Sequence, residues 1–162
     1  MKSRFDMSFL NASYLNSEEK KKFHCGTGEE LVTQSNPLLA GKRCLVLDDE
    51  FLIALDIQQI LEIAGAASVV CVGNSADAMT ALRNALKFDL AVLDVKLSGA
   101  TSTSLTVAAA LAEQNTPFVF LTGVHGDDVH TKKFPTAPVV EKPYQAQVLM
   151  EAVLRALTSR RS

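Results

Sequence analysis

No stretch of this chain stays apolar for the roughly 18 residues that a membrane-spanning helix needs. Its greasiest segment, Phe51 to Val72, is interrupted by Asp56, Gln58, Gln59 and Glu62. The N-terminus has no apolar core followed by small residues, so no secretory leader is expected, and a cytoplasmic location is. Charge of one sign is missing too. Sixteen Lys and Arg against 18 Asp and Glu leave a net charge of −2, which gives no electrostatic pull towards nucleic acid or an anionic membrane. Cysteine is scarce. Cys25, Cys44 and Cys71 are odd in number and widely spaced, which fits neither a disulfide framework nor a closed zinc site. His24 stands beside Cys25, but no second pair follows at ligand spacing. Cys44 and Cys71 lie in strand-like apolar runs, where cysteine acts as a small buried hydrophobe. There is no Gly-x-x-x-x-Gly-Lys loop, so nucleotide hydrolysis is unsupported.

What is present is enough for one packed domain. The chain has 162 residues, 48% of them hydrophobic and 21% charged, which suits a single core and is too short for two ordinary domains. Residues 1–40 are rich in Ser, Asn, Lys and Glu without sustained periodicity. They are expected to form a tail or linker, with a short helix around Ser17 to Phe23 at most. From Gly41 onward strands and helices alternate. Arg43 to Leu47 is a short apolar run ending in acids. Glu50 to Ala64 follows helical spacing, with Ile53, Ile57, Ile60, Leu61 and Ala64 on one stripe and Gly65 as the stop. Ser68 to Val72 is a second strand, and Asn74 or Ser75 can cap a helix running to about Leu86. Asp89 to Leu93 is a third strand, Ser102 to Gln114 a helix, Pro117 to Leu121 a fourth strand, Pro138 to Val140 a fifth, and Gln145 to Leu157 the last helix. This alternation predicts an α/β domain, a parallel sheet with helices on both faces. Between Gly123 and Pro138 the pattern fails, and a short, mobile helix is the most expected there.

Ligands of open parallel sheets sit beyond the carboxyl ends of the strands, so the polar residues at those ends matter most. The first strand ends in Asp48, Asp49 and Glu50, the third in Asp94, the fourth in Thr122 and the fifth in Glu141 and Lys142. Three or four carboxylates, a hydroxyl and an ammonium are therefore expected to converge. Carboxylates crowded in this way raise one another's pKa unless a cation joins them, and Mg2+ prefers such oxygen ligands. Lys142 and Thr122 can then meet phosphoryl oxygens while Asp94 serves as a carboxylate nucleophile. Taken singly, Asp49 and Glu50 could merely favour a helix dipole; four elements in strand order are much harder to obtain by chance.

The segments Leu-Val-Leu-Asp48-Asp49-Glu50, Leu-Asp94, Phe-Leu-Thr122-Gly123 and Glu-Lys142-Pro143 resemble the signature set of response-regulator receiver domains over residues 41–160. The resemblance implies a flavodoxin-like, doubly wound five-stranded parallel sheet in the order 2-1-3-4-5. It implies that Asp94 is the phospho-acceptor, that Asp49 binds Mg2+ directly and Asp48 through water, and that the carbonyl of Lys96 completes the metal ligands together with Asp94. Thr122 matches the switch hydroxyl, Lys142 the lysine of the site and Gly123 the small residue that leaves the acceptor accessible. A cis peptide is implied at Lys142-Pro143. The chain departs from the pattern at Val139, where the family has its switch aromatic. It also resembles the single-domain subgroup nicknamed FAT GUY, although Val124 stands where that group's fourth-strand motif has an aromatic.

A receiver implies a histidine kinase or histidine phosphotransfer protein as partner, docking on the first helix; a homodimer is compatible with the same family. Phe51, Leu52 and Leu55 add a second apolar face to that helix. They are either the partner contact, a surface covered by residues 1–40, or, for Phe51, part of the core. Lys96 and Val124 flank the acceptor, where side chains control water access. His125 and His130 are expected to be surface loop residues. Only Thr-Ser-Arg-Arg-Ser follows Leu157, so the expectation is a stand-alone receiver, or the last domain of a hybrid kinase, and not a DNA-binding regulator. Such a domain catalyses only its own phosphorylation and dephosphorylation. A phosphate hydrolase of this fold would need a second Asp where Lys96 stands, and the acids after the first strand would repel a flavin phosphate. A degenerate receiver that binds partners unphosphorylated is the main alternative.

Overall fold

The computed structural model describes residues 37–84, 87–97, 104–123 and 132–159. Within them the order is β1 (Arg43–Leu47), α1 (Phe51–Ile63), β2 (Ser68–Val72), α2 (Ser75–Asn84), β3 (Leu90–Asp94), α3 (Ser104–Glu113), β4 (Phe118–Thr122), β5 (Val139–Glu141) and a last helix, α4 (Ala146–Thr158). The five strands form one sheet in the order β2-β1-β3-β4-β5, parallel throughout. This is the expected flavodoxin-like arrangement. The expected short helix between β4 and β5 falls largely on residues 124–131, which lie outside the described residues, as do Val124, His125, His130 and residues 1–36.

Alternation along each strand divides the core in two. Cys44 and Val46 of β1, with Val92, Val119 and Leu121, meet Ile57 and Leu61 of α1 and Leu149 and Val153 of α4. Leu45 and Leu47, with Ala91, Leu93 and Phe120, meet Leu82 of α2 and Leu111 of α3. Successive strand side chains point to opposite faces, so a run such as Leu-Ala-Val-Leu in β3 supplies both cores and is buried end to end. Leu45, Leu47, Leu93 and Phe120 are fully buried, each worth about 1.5–3 kcal/mol by removal from water.

Helix boundaries follow local chemistry. In α1, Ala54, Ile57 and Leu61 are buried, while Ile53 and Ile60 pack partly buried against the same cluster. Gly65 ends the run with φ +97°, and a Cβ there would lie 2.3 Å from Pro37 Cβ; only glycine suits the position. Asn74, and not Ser75, caps α2: its Oδ1 accepts the Asp77 N–H at 2.8 Å and its Nδ2 donates to Asp77 Oδ2 at 2.8 Å. The packed unit also takes in Pro37–Ala40. Leu39 is fully buried, and its N–H donates to the Ala64 carbonyl at 2.9 Å, a contact that composition alone assigned to the tail.

Two expectations change. β3, β4 and β5 each run one residue further than the apolar pattern, so that Asp94, Thr122 and Glu141 still pair in the ladder. Cys44 is buried as expected, but Cys71 is exposed, because β2 is an edge strand with one side open. No helix among the described residues is long and apolar enough to cross a membrane.

Candidate functional site

Four strand tips meet at the carboxyl edge of the sheet. Asp48 follows β1, and its N–H continues the ladder by donating to the Val72 carbonyl at 3.1 Å. Its Oδ1 accepts the Glu50 N–H at 2.9 Å, satisfying a donor just ahead of a helix start, where backbone N–H groups lack helical partners. One acid thus both shapes the turn into α1 and faces the site. Asp94 closes β3, and its Oδ1 accepts the Lys96 N–H at 3.0 Å. Thr122 closes β4. Its carbonyl accepts the Lys142 N–H at 2.7 Å, which fixes the point at which the lysine leaves β5, and its hydroxyl donates to the Gly123 carbonyl at 3.2 Å. The Lys142–Pro143 peptide is cis.

The lysine reaches back across the edge. Its Nζ lies 2.7 Å from Asp48 Oδ2 and 3.0 Å from Asp94 Oδ2, with the two carboxylate side chains 0% and 5% exposed and the lysine 15%. Asp49 is half-buried beside them, and one oxygen from each of Asp48, Asp49 and Asp94 lies within 4.8 Å of the others. Asp48 and Asp94 thus share the Lys142 ammonium. Burial pushes the Asp94 carboxyl above the usual carboxylate range; its bonds to Lys142 and the Lys96 N–H pull it back only in part, and the like charge of Asp48 adds to the rise. Burial works against the Lys142 charge, but hydrogen bonds to Asp48 and Asp94, and their charges, outweigh it and hold the ammonium above the ordinary lysine range. The two shifts differ in their leading cause: burial lifts Asp94, whereas the two carboxylates beside Lys142 more than offset its burial. An all-oxygen donor set with surplus negative charge fits a hard divalent cation.

Of the residues singled out from the sequence, Asp48, Asp49, Asp94 and Lys142 come together, and Thr122 closes the strand between Asp94 and Lys142 in the sheet order. Lys96 joins through its backbone N–H, and the residue itself is exposed. Glu50 and Glu141 are exposed, and the acidic cluster comprises three carboxylates and not four. A Cβ built on Gly123 would meet no heavy atom within 4 Å, so space is open beside Thr122. Phe51 and Leu52 are 76% and 77% exposed and Leu55 36%; Phe51 is therefore not part of the core. Two contacts escaped the sequence. The Tyr144 hydroxyl donates to Asp56 Oδ2 at 3.4 Å, tying the segment after Lys142 to α1. Phe134 packs on the rings of Phe118 and Phe120. The signal for the second was there, since two aromatics at a two-residue repeat ask for a third surface to cover them.

A family model described as the response regulator receiver domain matches residues 44–154. The chain belongs to this family. The matched span of the receiver runs from Cys44 in β1 to Leu154 in α4, so all four strand tips fall within it. Solved structures agree. The receiver is similar to a response regulator receiver protein from Sinorhizobium medicae WSM419, at 26% identity over 75% of this chain and 98% of that one, with a TM-score of 0.66. It is similar to SdrG from Sphingomonas melonis Fr1, at 33% identity over 72% and 97%, TM-score 0.60, and to a receiver domain protein from Clostridium thermocellum, at 25% identity over 74% and 97%, TM-score 0.62. No curated protein matches the chain. This is a receiver domain of a two-component response regulator, a class that interacts with kinases and phosphotransfer proteins.

Proposed function

We propose that this receiver takes a phosphoryl group from the phosphohistidine of a histidine kinase or phosphotransfer protein onto Asp94. The observation that carries the proposal is the Lys142 ammonium held between Asp48 and Asp94 at the strand tips. An Asp94 carboxylate oxygen attacks phosphorus, the phosphorus–nitrogen bond breaks, and the donor ring, protonated on its other nitrogen, leaves with the bonding pair as neutral imidazole. Nothing in the receiver needs to move a proton for this step. Its work is to place the nucleophile and offset charge, which is how phosphoryl transfer is catalysed generally. The Lys96 N–H orients the Asp94 carboxylate through Oδ1. Lys142 is poised to meet a phosphoryl oxygen, and the Thr122 hydroxyl, whose acceptor among the described residues is the neighbouring Gly123 carbonyl, can turn to donate to another. Asp48, Asp49, Asp94 and the carbonyl of Lys96 would hold Mg2+, which when bound offsets phosphoryl charge.

The receiver acts on itself and turns over no second substrate. The same chemistry serves a stand-alone regulator and the receiver of a hybrid kinase. The exposed Phe51, Leu52 and Leu55 stand on the helix that begins directly after Asp48-Asp49-Glu50, which supports α1 as the surface where the donor docks.

Mass spectrometry of the chain incubated with acetyl phosphate and Mg2+ tests this. The expected result is a gain of one phosphoryl group, dependent on Mg2+ and absent from Asp94→Asn. No gain under any donor would refute phospho-acceptance and favour a receiver that binds partners unphosphorylated. A gain that survives Asp94→Asn would place the acceptor elsewhere.

A further inference from the structure

The two edge strands of the sheet are built differently. β5 is three residues long, Pro138 precedes it, and Glu141, Lys142 and Pro143 close it. Short length, charge and proline are the ordinary means by which an edge is kept from pairing with another chain. β2 has none of them. It runs for five residues, Ser-Val-Val-Cys-Val, and neither a charged residue nor a proline stands between Glu62 and Asp77. The Ser68 N–H donates to the Lys42 carbonyl at 3.4 Å, and the Val72 carbonyl accepts the Asp48 N–H at 3.1 Å, so Ser68, Val70 and Val72 face β1. Backbone direction alternates along a strand. The N–H and C=O groups of Val69 and Cys71 therefore point away from β1, to the side where the sheet has no further strand. The flanks of this edge are largely apolar. Cys71 Sγ donates to the Ala54 carbonyl at 3.8 Å and to Gln58 Oε1 at 3.5 Å. This turns the side of α1 that carries Phe51, Leu55 and Gln58, spaced three or four apart, towards β2; Phe51 is 76% exposed and Leu55 36%. On the other face a groove between β2 and α2 is lined by Val70, Phe88, Asp77, Thr80 and Asn84.

We propose that β2 is a self-association edge, at which two copies of this chain pair β2 with β2, antiparallel, about a two-fold axis between their Val70 residues. The order of residues in the strand selects a second copy as the occupant. With the axis at Val70, Val69 lies opposite Cys71 of the other copy. These are the two residues whose backbone groups point outward, so each such pair exchanges both its hydrogen bonds. Val70 meets Val70 on the α2 face, and Ser68 meets Val72. Small or β-branched side chains are matched throughout, and no like charges face one another. A shift of one residue would set outward groups against inward ones, and a shift of two would leave part of the strand unpaired. The two α2 helices run in opposite directions across the axis. Asp77 of one copy is thereby brought towards Asn84 of the other, an amide donor for a carboxylate. A two-fold pairing closes on itself, and the edges that remain are the guarded β5 strands.

Sedimentation equilibrium of the full chain in reducing buffer, from micromolar to millimolar concentration, tests this. The apparent mass is expected to rise from one chain to two and to stop there; a mass of one chain throughout overturns the proposal. Cys71→Lys puts the charge of a guarded edge at an exposed position. It should hold the chain at one copy over the whole range, whereas Cys71→Ser should associate as the unsubstituted chain does. A dimer that persists in Cys71→Lys would place the association on another surface and overturn the proposal. The register has its own test, which does not depend on how that lysine is tolerated. Facing residues of a non-hydrogen-bonded antiparallel pair have Cα atoms about 4.5 Å apart, inside the range of about 4.4–6.8 Å that a disulfide spans. Mild oxidation of Val70→Cys in a Cys71→Ser background should therefore give a covalent dimer, with position 70 joined to position 70 in the peptide map. Ser68 faces Val72 in this register, so Ser68→Cys in the same background should give none. Cross-linking through Ser68→Cys as readily as through Val70→Cys, or through neither, overturns the pairing.

Discussion

Replacing Lys142 by methionine keeps an unbranched side chain one atom shorter and removes the charge. In the metal-free protein two nearly buried carboxylates then lose their shared cation, at 2.7 Å and 3.0 Å. Removing one partner of a buried pair costs about 3–5 kcal/mol. The lysine side chain is 15% exposed, so water softens the loss, and the lower end, ~3 kcal/mol, is expected. The pH dependence carries a sign. A carboxyl whose folded pKa lies above its unfolded value stabilises the fold fully below the unfolded value and loses that contribution as pH rises through the folded one. Asp94 is already displaced upward by burial, and loss of the ammonium displaces it further. The deficit of Lys142→Met should therefore be largest at neutral pH and shrink on acidification towards pH 4. At the alkaline end it should shrink again, because the wild-type ammonium, held above 10.5, finally deprotonates. Urea denaturation followed by far-ultraviolet circular dichroism, in chelator at pH 5 and 7, measures this. Mg2+ at a hundred times its Kd stabilises any site that binds it by about 2.7 kcal/mol, and the variant should gain at least as much as the wild type because the cation takes over the lysine's role. Lys96→Met, at an exposed lysine beside the same cluster, should stay within about 0.5 kcal/mol. A metal-free Lys142→Met as stable as the wild type at pH 7 would refute the view of the cluster as charge-starved.

Two further outcomes follow from the geometry. The Cys44 thiol is pushed up to about 12 by burial, reinforced by Asp89, so it should resist iodoacetamide in the native chain. Cys71, exposed although also displaced upward by partial burial and Glu62, should be alkylated before Cys44, as peptide mapping would show. By the same linkage Cys44 supports the fold fully below pH 9 and loses that support between pH 9 and about 12; a Cys44→Ala chain whose alkaline stability curve matches the wild type would contradict it. At Asn74, whose side chain meets Asp77 twice at 2.8 Å, substitution by alanine should cost about 1 kcal/mol in chemical denaturation, and Ser75→Ala should leave that cap in place.

The strand tips were legible in the sequence because the sheet is parallel and covered on both faces. Each strand is a short apolar run, and the first polar residue after it falls on one common edge, so Asp48, Asp94, Thr122 and Lys142 could be assembled without coordinates. Strand ends were misplaced by a residue because Asp94, Thr122 and Glu141 remain in the ladder although they are polar; hydrophobicity marks burial, whereas pairing marks the strand. Cys71 was misjudged for a related reason. Composition does not say which strand lies at an edge, and β2 has one side open. The spacing of Phe118 and Phe120 called for a surface to cover them, but not for Phe134 in particular, which sits in a turn beside Pro135, outside any period. The choice between Asn74 and Ser75 could not be made from residue types that cap equally well; the Asp77 pairing decides it.

The charge count of the cluster sets the order in which it can work. The buried carboxylates Asp48 and Asp94 have the Lys142 ammonium between them, and burial first, with the charge of Asp48 adding to it, holds the Asp94 carboxyl above the usual carboxylate range. Whatever offsets that negative charge, a cation on Asp48 and Asp49 above all, both admits the phosphoryl group and favours the anionic form of Asp94 that attacks. The rate of phosphoryl uptake from acetyl phosphate should then fall off on acidification at a lower pH when Mg2+ is saturating than when it is limiting. Equal pH profiles at both concentrations would mean that the proton on Asp94 and the cation do not compete, and the electrostatic account of this site would be wrong.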